Sequence, residues 1–283
     1  MAQKIWFITG ASRGFGRIWA EAALARGDKV AATVRDVAAL SDLATRYGDA
    51  VLPLALDVTN SDAVYGAVAA AHRHFGRLDV ILNNAGYALI GAIEEVDETE
   101  LRAEFDTNVF GMLRVIQAAL PYLREQGSGH IVSVSSVVGL VAYPVTGAYN
   151  MTKWAVEALH EALAPEVKPF GIKVTMLEPG AYATEFGSAT SLKVATGLDA
   201  YAELRRQLFA SSVTRSFGNP AATVPAVFAI VDAEEPPLRL FLGIEGLPVA
   251  RAAYAARLAT WEAWKEVSSA AQGTPPTHRI AAL

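Results

Sequence analysis

Short apolar runs alternate along this chain with longer stretches in which apolar residues recur every three or four positions. The short runs predict seven strands, at 4–8, 29–34, 51–56, 79–83, 130–135, 172–178 and 238–242. The longer stretches predict helices at about 14–26, 37–46, 61–75, 98–124, 149–168 and 220–232. Strands that are nearly continuous apolar runs and are separated by helices are typical of a parallel sheet covered on both faces. The pattern therefore predicts an α/β fold built on a doubly wound parallel sheet, with its ligand crevice at the carboxyl ends of the strands.

Two segments depart from this rhythm. Residues 185–215 mix small, polar and apolar residues between a strand and the next helix, and a connection this long in a compact domain is usually functional, so we expect a substrate-binding lid there. After the last strand, about 246–270 is expected to form a C-terminal helical extension, with a helix at about 248–267. Its apolar stripe could cover the core, close the substrate pocket or form a subunit contact, and covering the core is the usual role. The stripe consists of Tyr254, Leu258, Trp261 and Trp264.

Composition narrows the class of protein. Of the 283 residues, 52% are hydrophobic and 19% are charged, and no Pro-, Gly- or Ser-rich linker divides the chain, so we expect a single domain over 1–283. The formal charge of −5 and the lack of basic clusters argue against a nucleic-acid partner. The chain has no cysteine, and His72 and His74 lack an obvious third ligand, so no metal site is expected. No leader pattern and no membrane-length apolar run are present, which favours a cytoplasmic protein.

A glycine-rich turn follows the first strand. Thr9-Gly10-Ala11-Ser12-Arg13-Gly14-Phe15-Gly16 joins that strand to the first helix. Glycines let the backbone approach a ligand closely, and the free N–H groups of a helix N-terminus favour an anion such as a pyrophosphate. The spacing differs from the G-x-G-x-x-G fingerprint, and a glycine turn alone is weak evidence. It predicts a dinucleotide site of the Rossmann type if other parts of the chain agree.

A candidate catalytic group lies further along the chain. Tyr149 and Lys153 are four residues apart, and on a helix such positions share one face. A cation beside a phenol favours the phenolate and is expected to lower the pKa of Tyr149 towards neutral pH. Ser136, thirteen residues before Tyr149, follows an apolar strand, so its hydroxyl could converge with the pair on one carbonyl group. Ser135 is its competitor, because adjacent strand residues point to opposite faces.

These elements together resemble the short-chain dehydrogenase/reductase family, from about Lys4 to Thr184. The matching elements stand in family order: Thr9 to Gly16, Asp57-Val58, Asn83-Asn84-Ala85-Gly86, Asn108, Ser136, Tyr149, Lys153 and Pro179-Gly180-x3-Thr184. The resemblance implies hydride transfer between a nicotinamide and a carbonyl compound or alcohol, with Tyr149 as proton donor or acceptor and Ser136 orienting the carbonyl. It also implies that Lys153 binds the nicotinamide ribose and that Asn108 holds a water leading to solvent. The alternative for Asn108 is a polar helix residue satisfied by neighbouring backbone.

The same resemblance implies a set of cofactor contacts. Asp57 would accept from the adenine amino group, Asn84 would brace the turn near the ribose, and Thr184 would help hold the carboxamide. Purely structural roles in turns and caps remain alternatives for these three residues. The complete expected set is Gly10, Ser12, Arg13, Gly14, Phe15, Gly16, Arg35, Asp57, Val58, Asn84, Ala85, Gly86, Tyr149, Lys153, Pro179, Gly180 and Thr184.

The end of the second strand favours NADP(H) over NAD. In the family, the acid that binds the ribose of NAD stands at the last strand residue, which here is Val34. The basic residue of NADP-dependent members matches Arg35, and Arg13 adds a second cation that could pair with a 2′-phosphate. Asp36 keeps NAD open as the alternative, with both arginines then being solvated surface charges.

The substrate is expected to be a small hydrophobic ketone, aldehyde or secondary alcohol. The expected pocket wall is mainly apolar and comprises Val137 to Val145, Tyr87 to Ile90, Tyr182, Phe186 and 187–215. The segments around Ser136 and Pro169 resemble the hydroxysteroid and retinol dehydrogenases modestly, and a broad ketoreductase is equally compatible. Two other classes stay open: a dinucleotide-binding redox sensor without turnover, and a related epimerase or dehydratase. Family members form dimers or tetramers, so a homo-oligomer is possible here.

Overall fold

A computed structural model describes residues 3–213 and 216–274, except for the side chains of 209–213. Residues 1–2, 214–215 and 275–283 lie outside the described part of the chain. The predictions of a single domain over 1–283 and of a lid over 185–215 therefore extend in part beyond the described residues. The principal sheet has seven parallel strands in the order β3-β2-β1-β4-β6-β7-β9. Its strands are β1 Ile5–Thr9, β2 Lys29–Val34, β3 Val51–Ala55, β4 Val80–Asn83, β6 Gly129–Val134, β7 Ile172–Pro179 and β9 Arg239–Leu242. Two short strands, β5 Ala88–Ile90 and β8 Leu192–Val194, form a second parallel pair.

Helices cover both faces of the principal sheet. They are α1 Gly14–Ala25, α2 Ser41–Tyr47, α3 Ser61–Phe75, α4 Glu98–Phe105, α5 Met112–Gln126, α6 Gly147–Val167, α7 Ala202–Val213, α8 Val224–Asp232, α9 Gly246–Ala263 and α10 Lys265–Ala270. Helices α3, α5 and α6 pack on one face, in a cluster that includes Phe7, Ile81 and Ile131. Helices α1, α2 and α8 pack on the other, around Trp6 and Trp19. The predicted doubly wound α/β fold, a Rossmann fold with a C-terminal helical extension, is confirmed.

The strand order reverses direction between β1 and β4. In a doubly wound sheet the loops at this switch point diverge above and below the sheet, which opens a crevice at the carboxyl ends of the strands. The glycine turn follows β1, Asn84 follows β4, and Ser136 follows β6. The fold therefore brings together side chains that are far apart in sequence.

The predicted helix over 98–124 is not continuous. It divides into α4, a π-helical segment Asp106–Gly111 and α5. A π-turn inserts one extra residue, which re-aims the side chains within it and is frequent at functional sites. Asn108 lies within this segment, and its side-chain amide forms hydrogen bonds with the backbone of Tyr87. A Cβ at Gly111 would lie 2.6 Å from Cγ2 of Val58, so this glycine allows the segment to pack closely.

The segment 185–215 contains more regular structure than the sequence pattern predicted. Strand β8 pairs with β5, and helix α7 occupies the C-terminal part of the segment. The carboxylate of Glu95 accepts from the Leu198 amide at 2.8 Å and is ion-paired with Arg205. Tyr201 donates to Glu94 at 2.6 Å. The segment is thus anchored at its centre to the turn after β5.

The C-terminal stripe does not cover the core, so that expectation was wrong. The side chains of Tyr254, Leu258, Trp261 and Trp264 are 45%, 55%, 63% and 64% exposed. Helix α9 is held instead by Arg257, whose guanidinium lies 4.9 Å from the Trp154 ring centre and donates to the Leu140 carbonyl at 2.8 Å. The spacing of these residues correctly predicts a helix, but the helix face on which they lie points outward. No helix within residues 3–213 and 216–274 is long and apolar enough to cross a membrane.

Candidate active site

One cavity of about 590 Å³ lies at the carboxyl ends of the central strands. Of the expected site residues, Gly16 and Asn108 are not part of its lining. The others line it: Gly10, Ser12, Arg13, Gly14, Phe15, Arg35, Asp57, Val58, Asn84, Ala85, Gly86, Ser136, Tyr149, Lys153, Pro179, Gly180 and Thr184. Two groups separated by more than a hundred residues of sequence, the glycine turn and the Tyr149/Lys153 pair, therefore open on the same space.

The glycine turn is shaped by close backbone contacts. Gly10 and Gly14 adopt φ angles of +69° and +55°, a region that favours glycine. The Asn84 amide donates to the carbonyls of Thr9 and Gly10, both at 3.0 Å, so this side chain braces the turn. A Cβ at Gly16 would stand 2.4 Å from the Gly10 carbonyl oxygen and 2.5 Å from Nδ2 of Asn84. Only glycine at position 16 lets α1 begin this close to the turn.

The variant Gly16→Ala is expected to destabilise the protein by about 1–3 kcal/mol, because its methyl group must displace backbone and Asn84. Dinucleotide binding should weaken as well, since the turn is distorted. Chemical denaturation and a binding titration measure the two effects. Gly66→Ala is the matched control: it lies within α3, and a Cβ there meets no atom within 4 Å. That control should stabilise the protein by about 0.5–1 kcal/mol. Equal effects of the two variants would contradict the packing argument.

The turn already holds an anionic group in the structure. The Gly14 amide donates to the Glu185 carboxylate at 3.1 Å, at the N-terminus of α1. A carboxylate in this place shows that the exposed amide and the helix dipole favour negative charge. The site therefore fits the pyrophosphate of a dinucleotide, with Gly14 and its neighbours in the turn able to hold it.

Arg13 points toward the segment 185–215. Its guanidinium donates to the Ser191 hydroxyl at 2.7 Å and to the Thr190 carbonyl at 3.3 Å. Arg35, by contrast, is exposed at the end of β2 and lines the cavity. Asp36 turns its carboxylate to the Ala38 amide at 3.0 Å and caps the next turn. Arg35 is therefore better placed than Arg13 to meet a ribose phosphate.

Asp57 and Thr184 each form a local turn at the cavity wall. Asp57 accepts from the amide and the hydroxyl of Thr59 at 2.9 and 2.7 Å, and these hydrogen bonds lower the pKa of its carboxyl group. Thr184 accepts from the Phe186 amide at 3.3 Å. Both contacts match the structural alternatives expected from the sequence. Their roles toward a cofactor stay predictions.

Tyr149, Lys153 and Ser136 come together where α6 passes the end of β6. The Lys153 ammonium lies 5.6 Å from the centre of the Tyr149 ring and donates to the Val134 carbonyl at 2.8 Å. Ser136 is partly exposed and donates to the Pro179 carbonyl at 3.4 Å. The Ser135 hydroxyl is buried without a hydrogen-bond partner among the described residues. This arrangement favours Ser136 over Ser135 as the hydroxyl that meets a substrate.

The protein environment acts on the two ionisable groups in different ways. Burial raises the pKa of Tyr149, the charge of Glu104 raises it further, and the hydrogen bond with Ser136 lowers it. Burial lowers the pKa of Lys153 to about 8. The Lys153 ammonium is directed at a carbonyl oxygen, so the expected lowering of the Tyr149 pKa by Lys153 is not a feature of this arrangement. That expectation needs Lys153 and Tyr149 to be coupled more closely than they are here.

Asn108 has its side chain fully engaged. Its oxygen accepts from the Tyr87 amide at 3.0 Å, and its nitrogen donates to the Tyr87 carbonyl at 2.8 Å and to Thr152 at 3.2 Å. Thr152 in turn donates to the Tyr149 carbonyl at 2.9 Å. The side chain thus ties the loop after β4 to α6. These contacts match the alternative of a polar helix residue satisfied by its neighbours, and the predicted role of Asn108 in holding a water stays a prediction.

Two residues at the site were not anticipated from the sequence. Glu104 is buried one helical turn before Asn108, and its charge acts on both Tyr149 and Lys153. Glu185 contacts the glycine turn. The four-residue spacing to Asn108 could have indicated Glu104, because it places a charged residue on an inward-facing helix side. The segment 137–145, expected in the pocket wall, lies outside the lining of this cavity.

Comparison with known proteins identifies the class. Residues 4–194 match the short chain dehydrogenase family. The chain is 42% identical over 272 residues to the oxidoreductase BOA17 of Botryotinia fuckeliana, covering 94% of this chain and 98% of that protein. It is 37% identical over 246 residues to a 3-ketodihydrosphingosine reductase of Bacteroides thetaiotaomicron, covering 86% and 89% of the two chains. The chain therefore belongs to the short-chain dehydrogenase family, and it is an oxidoreductase with the nicotinamide dinucleotide-binding fold of that family.

Solved structures agree with this assignment. A short-chain dehydrogenase from Streptomyces avermitilis superposes with a TM-score of 0.88 at 41% identity, covering 95% of this chain and 99% of that one. A short chain dehydrogenase from Burkholderia cenocepacia in complex with NADP gives 0.74 at 27% identity, with 96% and 98% covered. A 3-ketoacyl-(acyl-carrier-protein) reductase from Brucella melitensis complexed with NADH gives 0.71 at 27% identity, with 84% and 96% covered. The family resemblance of the sequence is confirmed.

Proposed function

We propose that this protein is an NADP(H)-dependent oxidoreductase that interconverts a hydrophobic ketone or aldehyde and the corresponding alcohol. One observation carries the proposal: a single cavity is lined both by the glycine turn and by the hydroxyl-bearing residues Ser136 and Tyr149. A dinucleotide held by the turn would extend toward these hydroxyls. An oxygen atom of a bound carbonyl compound would then be reached by both.

Tyr149, Ser136 and Lys153 have different roles in the proposed reaction. When bound, the nicotinamide supplies the hydride in reduction and accepts it in oxidation. Tyr149 gives a proton to the substrate oxygen in reduction and takes it back in oxidation. Ser136 orients the same oxygen by a hydrogen bond. The Lys153 ammonium lies 5.6 Å from the centre of the Tyr149 ring, and a closer approach in the presence of the dinucleotide would let it stabilise the phenolate that remains after proton transfer.

Arg35 is the reason to propose NADP(H) as the cofactor. It stands exposed at the tip of β2, and Val34 before it offers no acid that would repel a 2′-phosphate. The Burkholderia neighbour with NADP supports the choice, and the Brucella neighbour with NADH shows that the fold accepts both cofactors. Asp36 is engaged in capping a turn, which weakens the alternative of an NAD ribose contact.

The apolar cavity wall supports a hydrophobic substrate. The lining contains Tyr87, Tyr182, Phe186, Leu192 and Phe217, and the Phe186 ring centre lies 5.7 Å from that of Tyr149. These groups suit an apolar carbonyl compound better than a sugar or an acyl phosphate. The relative named 3-ketodihydrosphingosine reductase supports a ketone as the reacting group. The modest likeness to hydroxysteroid and retinol dehydrogenases stays a prediction.

Two other classes remain as alternatives. A dinucleotide-binding sensor without turnover would be expected to lack part of the catalytic set, whereas Asn108, Ser136, Tyr149 and Lys153 are all present. Asn108 is also linked to Tyr149 through Thr152. An epimerase or dehydratase of the related group shares the Tyr149/Lys153 pair and stays an alternative. Neither is favoured by a contact in the cavity.

The segment 185–215 is proposed to act as a lid, although residues 214–215 lie outside the described structure. Glu185, at its start, places a carboxylate on the Gly14 amide, and Arg13 holds Thr190 and Ser191. A pyrophosphate at the glycine turn would repel Glu185 and must displace it. Binding of the dinucleotide would therefore reposition the start of the lid, and Phe186 and Leu192 would close over an apolar substrate.

Hydrogen exchange tests the lid. Amides from Glu185 to Leu208 should exchange rapidly in the free protein and slow by at least about tenfold when NADPH and a substrate analogue are both bound. Amides of β1 and β2 serve as the internal control, because their protection comes from the central sheet in both states. Strong and equal protection of 185–208 in the two states would show a rigid connection instead.

A screen of carbonyl compounds and alcohols with NADPH and NADH tests the proposed function. The disappearance of reduced nicotinamide is followed by its absorbance. We expect turnover of apolar ketones or aldehydes with NADPH preferred. Binding of NADPH without turnover of any member of a broad panel would favour the sensor class instead. A homo-oligomer, dimer or tetramer, is proposed by family likeness, and the exposed aromatic face of α9 is a candidate contact for it.

A further inference from the structure

Glu104 carries a buried carboxyl group that the catalytic set does not explain. Glu104 is fully buried, with 0% of its surface exposed. One carboxyl oxygen accepts from the Leu89 amide at 2.9 Å. The other is buried and has no hydrogen-bond partner within the described part of the chain. Burying a charge without compensation is costly, so a carboxylate here needs a nearby positive charge.

Helix α4 packs against both β5 and α6, and charged groups face Glu104 from several elements. Burial raises the pKa of its carboxyl group, and the Leu89 amide, Lys153 on α6 and Lys193 on β8 lower it, with a net value of about 7. The negative charge of Glu104 raises the pKa of Tyr149 on α6 and of Tyr87 before β5. Glu100 on the same helix also raises the pKa of Tyr87. Glu104 thus lies within an electrostatic cluster that contains both members of the Tyr149/Lys153 pair.

The other acid near Lys153 is already ion-paired, with an arginine that also contacts Glu161 and Glu178. Glu157 lies one turn beyond Lys153 on α6, and its carboxylate accepts from the Arg239 guanidinium at 2.8 Å. The charge of Glu104 acts on Lys153 more strongly than that of Glu157. Glu104 itself has no cation in hydrogen-bond contact among the residues described. It is therefore the carboxylate best able to balance the buried ammonium.

We propose that Glu104 is a positioning residue, the buried counter-ion that keeps Lys153 charged beside Tyr149 and thereby sets the pH range of the reaction. The inference rests on the proposed function. It adds a fifth side chain to the set formed by Asn108, Ser136, Tyr149 and Lys153. Glu104 acts through Lys153 and need not touch the substrate.

Loss of the Glu104 charge is expected to lower the pKa of both Lys153 and Tyr149. Burial lowers the pKa of Lys153, and the carboxylate of Glu104 opposes that effect. The same carboxylate raises the pKa of Tyr149. Without it, the pKa of both groups falls. Carbonyl reduction needs the protonated forms, so its activity should be lost at a lower pH.

The variant Glu104→Gln tests this directly, because glutamine keeps the size and can still accept from the Leu89 amide. The upper limb of the pH profile of kcat for reduction should move down by about half a pH unit or more, equal to roughly threefold in a proton-binding constant. Glu104→Asp, which keeps a carboxylate, should return the limb toward the wild-type position. Glu98→Gln removes a charge from the exposed side of the same helix and should leave the profile unchanged.

A merely structural role would appear differently. If Glu104 only fixes β5 through Leu89, Glu104→Gln would lower activity uniformly, with the limb of the profile unmoved. That result would overturn the proposal. So would an equal shift in Glu98→Gln, since the effect would then reflect net charge alone.

A second measurement does not depend on turnover. The free energy of unfolding is compared for the wild type, Glu104→Gln, Lys153→Met and the double variant. The sum of the changes in unfolding free energy of the two single variants should depart most from the change in the double variant between pH 7 and 8. In this range both charges are present, because Glu104 is ionised above about 7 and Lys153 is charged below about 8. Below about pH 5 the two changes should add, because Glu104 is then protonated. Additivity at every pH would overturn the pairing. A coupled pair in a protein that reduces no carbonyl compound would instead contradict the proposed function and leave the pairing intact.

Discussion

The variant Tyr149→Phe is expected to lose about 10²- to 10⁴-fold in turnover of a good carbonyl substrate, while its affinity for NADPH stays close to that of the wild type. The change removes a single oxygen atom from a partly buried ring at the end of the cavity. The proton donor to the substrate oxygen is then missing, but no contact of the glycine turn is altered. Steady-state kinetics and a fluorescence titration with NADPH measure the two quantities separately.

Tyr143→Phe is the matched control for this experiment. Tyr143 lies shortly before α6, is 43% exposed and does not line the cavity. Its loss of a hydroxyl group should leave turnover within the error of measurement. Near-native turnover in Tyr149→Phe would contradict the catalytic assignment. Equal losses in both variants would show that the removal of a phenol disturbs α6 rather than the reaction.

The second large effect is expected at Arg35. Arg35→Asp should weaken NADPH relative to NADH by roughly 2–4 kcal/mol, because a charge-assisted pair with the 2′-phosphate is replaced by repulsion. Arg13 is engaged with Ser191 and Thr190, so it compensates little unless these two contacts break. Binding titrations of both cofactors to the wild type and the variant give the change in preference.

Arg46→Asp makes the same change in charge outside the cavity. Arg46 is exposed on α2, and its guanidinium lies 5.3 Å from the centre of the Tyr47 ring. It should leave the ratio of the two affinities unchanged. Equal affinities of the wild type for NADPH and NADH would already refute the role of Arg35. A switch in preference produced by Arg46→Asp would point to the net charge of the protein instead.

The sheet and much of the site could be predicted because their sequence patterns follow from simple geometry. Strands such as Lys29–Val34 are apolar on both faces, which only a sheet covered on both sides requires. Tyr149 and Lys153 lie on one helix face because four residues complete about one turn. Gly16 could be expected near the turn from its position between strand and helix. Its contact with Gly10 and Asn84 needed the structure.

Other features left little trace in the pattern. The π-helical segment around Asn108 adds one residue to a turn without breaking the helical recurrence of apolar residues. Strands β5 and β8 have three residues each, too few to show a period. The stripe on α9 has the spacing of a buried face, yet its environment depends on what the helix packs against.

Electrostatics was the least predictable part of the site. The sequence places Lys153 beside Tyr149 but does not reveal that burial dominates the pKa of both groups. The four-residue spacing to Asn108 is a weak sign that Glu104 turns inward, since a glutamate on a helix is usually solvated. Burial is set by the packing of α4 against β5 and α6, which are far apart in sequence.

The central claim is hydride transfer to a carbonyl carbon within this cavity. The most direct measurement follows deuterium from NADPH labelled at the C4 position that is transferred, using mass spectrometry of the product alcohol. We expect one deuterium on the carbon that bears the new hydroxyl group in the wild type, and a greatly reduced yield of labelled alcohol in Tyr149→Phe. Tight binding of NADPH with no label in any product would contradict the account and identify a protein that binds the dinucleotide without using it.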